Sequence, residues 1–242
     1  IIFLPDYICH FIQSIHVNII RAILLLGYTN GRFNAHAFDD LITQMKDKQT
    51  QLIKKIKMPN FWGKGGIEMK FNAIVGNPPY QLKLNNNEDQ QNVTSIYHLF
   101  LLASLKIKPD YISLIMPSRW MTGGRGLDEF RKQMLEMNNF LIMHDHLDAR
   151  DCFTNVEIKG GICYFLCSPS FNGKCDYYLH LKDKTEHSIR KLDSLGIGMV
   201  IRDSRAFSIV NKVIQSSDFK SFESIAGSQT PFGIVTSFKD YT

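Results

Sequence analysis

From residue 71 onward, short apolar runs alternate with stretches of helical periodicity. Residues 71–76 (FNAIVG) are nearly continuous in apolar character and close on a glycine and two prolines, the pattern of a strand buried on both faces. Asn92 is placed to cap a helix in which Val93, Ile96, Tyr97, Phe100, Leu101 and Leu105 make one i, i+3, i+4, i+7 stripe. Residues 111–116 (YISLIM) read as a second strand, stopped by Pro117, and Leu127, Phe130, Met134 and Met137 mark another helical stripe after the Gly123-Gly124 break. Residues 140–143 and 162–166 read as two further strands, the second opened by Gly160-Gly161. Strands alternating with helices predict βαβ units and a mostly parallel sheet. The last two strands follow each other without a helix, so one of them is expected to be an antiparallel edge. The expected fold class is α/β with an inserted final strand, a partial doubly wound sheet with an antiparallel final strand.

The flanks are patterned differently. Residues 1–70 read as helix-rich, with a basic stretch over 46–57. Beyond about residue 190 a lone helix (205–213) precedes a segment rich in Gly, Ser, Thr and Pro, the expected entry to another domain. The division predicted is 1–192 and 193–242. Of 242 residues, 44% are hydrophobic and 21% charged, which excludes collagen-like, low-complexity and largely disordered chains. The longest apolar region, residues 12–28, is broken by Gln13, His16, Asn18 and Arg21, so no membrane span and no membrane partner are expected. No signal peptide is evident. Five cysteines, an odd number without CxxC spacing, suggest reduced thiols and a cytoplasmic location. The chain begins without Met and stops at Thr242, and is expected to be part of a longer polypeptide.

The informative chemistry is Asn77-Pro78-Pro79-Tyr80, at the carboxyl end of the predicted strand 71–76. Ligands of open α/β sheets bind outside the carboxyl ends of the strands. The exocyclic amino group of adenine is a poor nucleophile because its lone pair is delocalised into the ring. If the Asn77 side-chain oxygen and the Pro78 carbonyl each accept one of its N–H groups, that lone pair becomes available. The prolines fix φ and remove competing donors, holding the acceptors in place beforehand. Tyr80 offers a face for a base rotated out of the duplex.

These residues carry a resemblance. Residues 71–81 (FNAIVGNPPYQ), 114–124 (LIMPSRWMTGG) and 152–166 (CFTNVEIKGGICYFL), with Pro231-Phe232-Gly233, resemble the adenine-specific DNA methyltransferases of restriction–modification systems, particularly the large bifunctional type II enzymes. The blocks come in the family's order and cover about residues 60 to 240. The resemblance implies a doubly wound methyltransferase sheet, methyl transfer from S-adenosylmethionine (SAM), double-stranded DNA as partner, and a separate target recognition domain into which 193–242 would lead. It implies that Asn77, Pro78, Pro79 and Tyr80 form the catalytic motif and that Phe153 stacks on the flipped base. It also implies that the rest of the polypeptide carries the SAM loop and a nuclease. The family's Gly-rich Phe-x-Gly-x-Gly loop has no counterpart here. Gly63, Gly65 and Gly66 directly precede the catalytic strand and are read as linker residues, and Asp39 and Asp40 as surface acids, so cofactor-binding residues stay unassigned.

Other constellations have blander readings. Asp145, Asp151, Glu157 and Lys159 have the look of a metal-dependent nuclease core, but fall inside the methyltransferase-like block and are read as structural. His144 and His146, with Cys152, suggest zinc; they are expected to diverge to opposite faces of a strand, and no metal site is predicted. Arg119, Trp120 and Arg125 could touch phosphate or base, or Trp120 could simply pack. No Cys neighbours Asn77–Tyr80 in sequence, which disfavours the covalent route used for carbon-5 of cytosine. The alternatives left open are methylation of cytosine N4 or of an RNA or protein amide nitrogen, and a non-catalytic DNA-recognition module.

Overall fold

A computed structural model of the chain describes residues 2–4, 9–12, 33–36, 41–84, 92–123, 126–154 and 157–221. The chain divides into two units, Ile1–Arg202 and Asp203–Thr242. In the first, nine of the described strands form one sheet: β1 (Ile2–Leu4), β2 (Cys9–Ile12), β3 (Phe33–His36), β4 (Ala73–Gly76), β7 (Tyr111–Pro117), β8 (Phe140–His146), β9 (Ile162–Cys167), β10 (Cys175–Leu181) and β11 (Lys184–Arg190). Their order is β11-β10-β8-β9-β7-β4-β1-β2-β3. β5 (Gln81–Leu84) and β6 (Asn92–Ser95) make a separate antiparallel pair. The helices are α1 (Leu41–Asp47), α2 (Gln49–Lys57), α3 (Tyr97–Ile107) and α4 (Asp128–Met137), with α5 (Ser204–Ile214) in the second unit.

The α/β expectation holds for the segment that carries the site. β4 runs parallel to β7, with Gly76 opposite Leu114. α4 then carries the chain from β7 to β8, which lies two positions away and leaves a slot. The connection from β8 back to β9 contains no α-helix, so β9 must return in the opposite direction. β9 is antiparallel to both β7 and β8. The expected antiparallel strand is therefore present but lies inside the sheet, not at its edge.

The predicted helix capped by Asn92 begins five residues later. Tyr80 O accepts the Ile96 N–H at 3.0 Å, and Gln81 pairs with Ser95, so 92–95 are drawn into a hairpin and the helix starts at Tyr97. The strand pair β10–β11 was not foreseen. Along β10 only alternate residues (Cys175, Tyr177, Leu179) are buried, and β11 buries none, leaving no apolar run to see. The leading residues read as helix-rich include strands at 2–4, 9–12 and 33–36. The basic stretch 46–57 lies on α1 and α2, which bury Leu41, Met45, Leu52, Ile53 and Ile56 while Lys46, Lys48, Lys54 and Lys55 stay exposed.

The two faces of the sheet differ. One carries Ile74, Ile112, Leu114, Met116, Met143, Cys163 and Phe165, all at most 2% exposed, within the core that includes Phe100 and Leu101 of α3 and Phe130 and Met134 of α4. The other carries half-exposed rings in register: His187 stacks on Tyr178 (centroids 4.5 Å), Tyr178 on His144 (4.6 Å) and His144 on Tyr164 (4.8 Å). In the second unit, α5 is capped by Asp203, whose carboxylate accepts the Arg205 N–H at 2.8 Å.

The return into β9 is the tightest point of the sheet edge. Gly161 has φ +80°, its carbonyl accepts the Ser118 N–H at 3.1 Å, and a Cβ there would sit 2.0 Å from the His146 carbonyl oxygen. Gly161→Ala combines left-handed strain with a backbone collision, and should lower unfolding stability by about 3 kcal/mol. Urea denaturation measures this; an unchanged midpoint would refute the tight packing.

Candidate active site

Three strand ends deliver the candidate residues to one edge of the sheet. β4 ends at Gly76 and releases Asn77-Pro78-Pro79-Tyr80. β7 ends at Pro117 and continues into a single 3₁₀ turn, Ser118–Met121. β8 ends at His146 and continues into the connection 147–161, which contains the 3₁₀ turn Ala149–Asp151 and Phe153.

Within the motif, Asn77 and Pro79 are exposed, Pro78 is buried and Tyr80 is half-buried. The local sequence dictates this: Ile74 faces the core, the chain leaves the sheet after Gly76, and two fixed φ angles turn it outward. An exposed amide followed by a proline carbonyl is an acceptor pair at the rim. The Tyr80 hydroxyl is buried without a hydrogen-bond partner. Burial, with the nearby Cys163 and Cys152, pushes its phenol well above the usual value, so the ring presents a neutral, aromatic face. Phe153 itself is half-buried, its N–H donated to Ala149 O at 2.9 Å. Both thiols near Tyr80 are protonated at neutral pH: burial pushes Cys163 up to about 12, and burial and Asp151 raise Cys152.

Residues 10–153, more than half of the chain, match the family described as Eco57I restriction-modification methylase. The chain belongs to that family. An "Uncharacterized adenine-specific methylase" of Mycoplasma pneumoniae is 35% identical over 107 residues, 44% of this chain and 25% of the relative, so the chain aligns with about a quarter of that protein's length. Among solved structures, the type I restriction-modification methyltransferase subunit from Streptococcus thermophilus matches 84% of this chain and 41% of its own, at 13% identity and a TM-score of 0.48. The type I restriction enzyme EcoKI M protein matches 69% and 34%, at 10% identity and a TM-score of 0.44.

The placement of the other candidates separates structural roles from chemical ones. Asp145 is not a nuclease ligand. It is fully buried, and its carboxylate accepts from Ser118 Oγ (2.6 Å), Tyr177 OH (2.5 Å), Arg202 Nε (2.5 Å) and Arg202 Nη2 (2.6 Å). The Ser118 and Arg202 contributions escaped the sequence reading. A signal existed: Asp145 shares the alternation of Met143, which makes it core-facing, and a buried carboxylate requires donors. Asp151, Glu157 and Lys159 are exposed on the connection. Among the described residues, no group of three or more His, Cys, Asp and Glu is arranged to hold a metal.

His144 and His146 do not diverge. Residues i and i+2 of a strand share a face, and both contact His180, with ring centroids at 5.2 and 4.0 Å. Trp120 packs: it is fully buried, stacked on Phe140 at 5.9 Å and edge-on to Phe130 at 5.7 Å, while Arg119 is exposed. Arg125, Asp39, Asp40 and Pro231-Phe232-Gly233 lie outside the described residues.

Gly63, Gly65 and Gly66 do not form a cradle for SAM. Gly63, at φ +69°, closes the 3₁₀ turn Pro59–Trp62; Gly65 and Gly66 follow in irregular chain, and no helix stands between them and β4. A phosphate- or sulfonium-cofactor loop of this fold type needs a strand before and a helix after.

Burial, then the charges of neighbouring histidines, hold His144 and His180 below the ordinary 6.5. The unfolded chain therefore takes up these protons first, so the stability they support is complete above pH 6.5 and is lost as pH falls through their lower folded values. The melting temperature should fall as the pH is lowered from about 7.5 to 5.5, and His180→Gln should flatten that slope. Thermal melts at stepped pH measure it; an identical slope in wild type and variant would contradict the placement.

Proposed function

We propose that this chain supplies the base-methylating part of a site-specific adenine-N6 DNA methyltransferase of a restriction–modification system. The observation that carries the reading is Asn77-Pro78-Pro79-Tyr80 at the carboxyl end of β4 in a restriction-modification methylase family member. The adenine-specific relative favours adenine over the cytosine and non-nucleic-acid alternatives.

In this reading double-stranded DNA presents an adenine rotated out of its stack. The Asn77 amide oxygen and the Pro78 carbonyl accept its two amino N–H groups, and the nitrogen's lone pair is freed from the ring. Tyr80 provides one aromatic face and Phe153 packs as the second. The acceptors need no reorganisation when charge develops, because the prolines hold them beforehand. SAM supplies an electrophilic methyl group in this chemistry. The described residues form the acceptor side, so the methyl-donor site, and any nuclease, are assigned to other parts of the polypeptide. No cysteine adjoins Asn77–Tyr80 in sequence, which favours direct transfer over a covalent enzyme intermediate. Residues 1–192 are assigned to the catalytic domain and 193–242 to the lead-in to target recognition. Reduced cysteines and the absence of a membrane-crossing helix among the described residues fit a cytoplasmic protein.

Incubation of the intact protein with unmodified DNA and SAM, followed by digestion and mass spectrometry of the nucleosides, tests the reading: N6-methyladenine is expected, and N4-methylcytosine would replace the target base. Asn77→Ala should reduce methyl transfer by at least about 10²-fold while DNA affinity stays within a few-fold. Near-normal turnover in that variant would refute the assignment. Phe153→Ala should lower the fluorescence of 2-aminopurine placed at the target, since the flipped base loses one stacking partner worth about 1–3 kcal/mol; an unchanged signal removes Phe153 from the site.

A further inference from the structure

After β11 the chain lies along the carboxyl edge of the sheet as a strap. Asp193 accepts the N–H groups of Ile197 and Gly198, each at 2.9 Å. Gly198 O accepts Arg131 Nε of α4 at 2.9 Å. Val200, 1% exposed, donates its N–H to Met121 O at 2.8 Å, at the end of the Ser118–Met121 turn. Arg202, the last residue of the first unit, then directs two nitrogens to Asp145 and its third, Nη1, to Gly160 O at 2.8 Å.

That third contact separates Arg202 from the other partners of Asp145. Tyr177 reaches the carboxylate from β10, on the side of β8 away from β9. Ser118 reaches it from the turn after β7. Of the side chains that donate to Asp145, that of Arg202 also grips Gly160 O, where the Phe153-bearing connection ends and enters β9; Ser118 is tied to the same turn through its backbone N–H. Gly160 in turn packs on Arg119, with a position for Cβ 3.4 Å from the Arg119 Cβ, and Gly161 O holds the Ser118 N–H at 3.1 Å. One guanidinium therefore joins the end of β8 to the returning connection, and Ser118 ties the turn after β7 to both. Arg is suited to this because its planar fork satisfies a carboxylate with two nitrogens and leaves a third at a fixed angle.

We propose that Arg202 is a positioning residue for methyl transfer: by clamping Gly160 O to the Asp145 carboxylate it sets the 147–161 connection, and with it Phe153, against Tyr80 and the flipped base. This rests on the methyltransferase reading above. Misplacement by about 1 Å of a group that orients a substrate costs on the order of 10²-fold in rate, so loss of the clamp is visible in turnover even where the fold persists.

Arg202→Lys tests it in the intact protein. Lysine keeps a charge opposite Asp145 but has no fork with which to reach Gly160 O as well. Single-turnover methylation should slow by about ten- to a hundredfold, with KM for SAM within about twofold and a reduced 2-aminopurine signal at the target. Tyr177→Phe removes a donor from the same carboxylate without touching the turn. It should lower the melting temperature yet keep the rate within about twofold. Wild-type rate and fluorescence in Arg202→Lys would overturn the proposal, as would a parallel loss of rate in Tyr177→Phe, which would make the network a stability feature alone.

If Arg202→Lys does not fold, Asp145→Asn/Arg202→Gln removes both buried charges together and is read the same way, with a slowed rate expected and an unaffected rate overturning the idea. If the wild-type protein transfers no methyl group, the methyltransferase reading fails, and 2-aminopurine fluorescence decides the Arg202 proposal independently. Loss of the signal in the variant supports it, and retention overturns it.

Discussion

The arrangement of this edge depends on the slot between β7 and β8. α4 crosses over and lays β8 parallel to β4 and β7 but one position too far to pair with β7, and β9 fills the gap in the opposite direction. Because β9 runs against both neighbours, the connection from β8 must begin and end at the same edge of the sheet. That edge is the one where β4 releases Asn77-Pro78-Pro79-Tyr80. The presence of two segments about 70 residues apart on one edge of the sheet thus follows from strand polarity. Gly161 is what permits the return at such close range, since any side chain there would enter the His146 carbonyl.

The same geometry explains why charge is buried beside the site. β8 alternates, so when Met143 faces the helices, Asp145 does too. An isolated buried carboxylate is prohibitively costly, and the chain answers with a serine from β7's turn, a tyrosine from β10 and the forked Arg202. On the opposite face the same strand presents His144 and His146 among half-exposed tyrosine and histidine rings. One strand therefore serves an apolar, charge-paired interior and a polar aromatic surface, and the site lies where it ends.

The chemical character of the site follows from contrasts in exposure. Asn77 is open to solvent while Tyr80 is half-buried with its hydroxyl sequestered. The Asn77 acceptor of the proposed mechanism is accessible, whereas Pro78 is buried and the Tyr80 ring is half-buried. Burial pushes the Cys163 thiol up to about 12, and burial and Asp151 raise that of Cys152.

Much of the catalytic segment was legible from residue order alone. Continuous apolar runs at 71–76, 111–116 and 162–166 announced buried strands, glycines and prolines marked their ends, and the Asn-Pro-Pro-Tyr block stood out at a strand end, because these signals depend on a residue and its immediate neighbours. Weaker local signals misled: 92–95 read as helix until the pairing with 81–84 claimed them, and β10–β11 lacked an apolar run because an edge hairpin buries so little. The interior position of β9, the shared face of His144 and His146 with His180, the packing of Trp120 and the pairing of Asp145 with Arg202 across 57 residues were decided by the tertiary structure. Each depends on which strands become neighbours, and neighbourhood is set by competition among all the strands for burial, a property no short stretch of sequence contains.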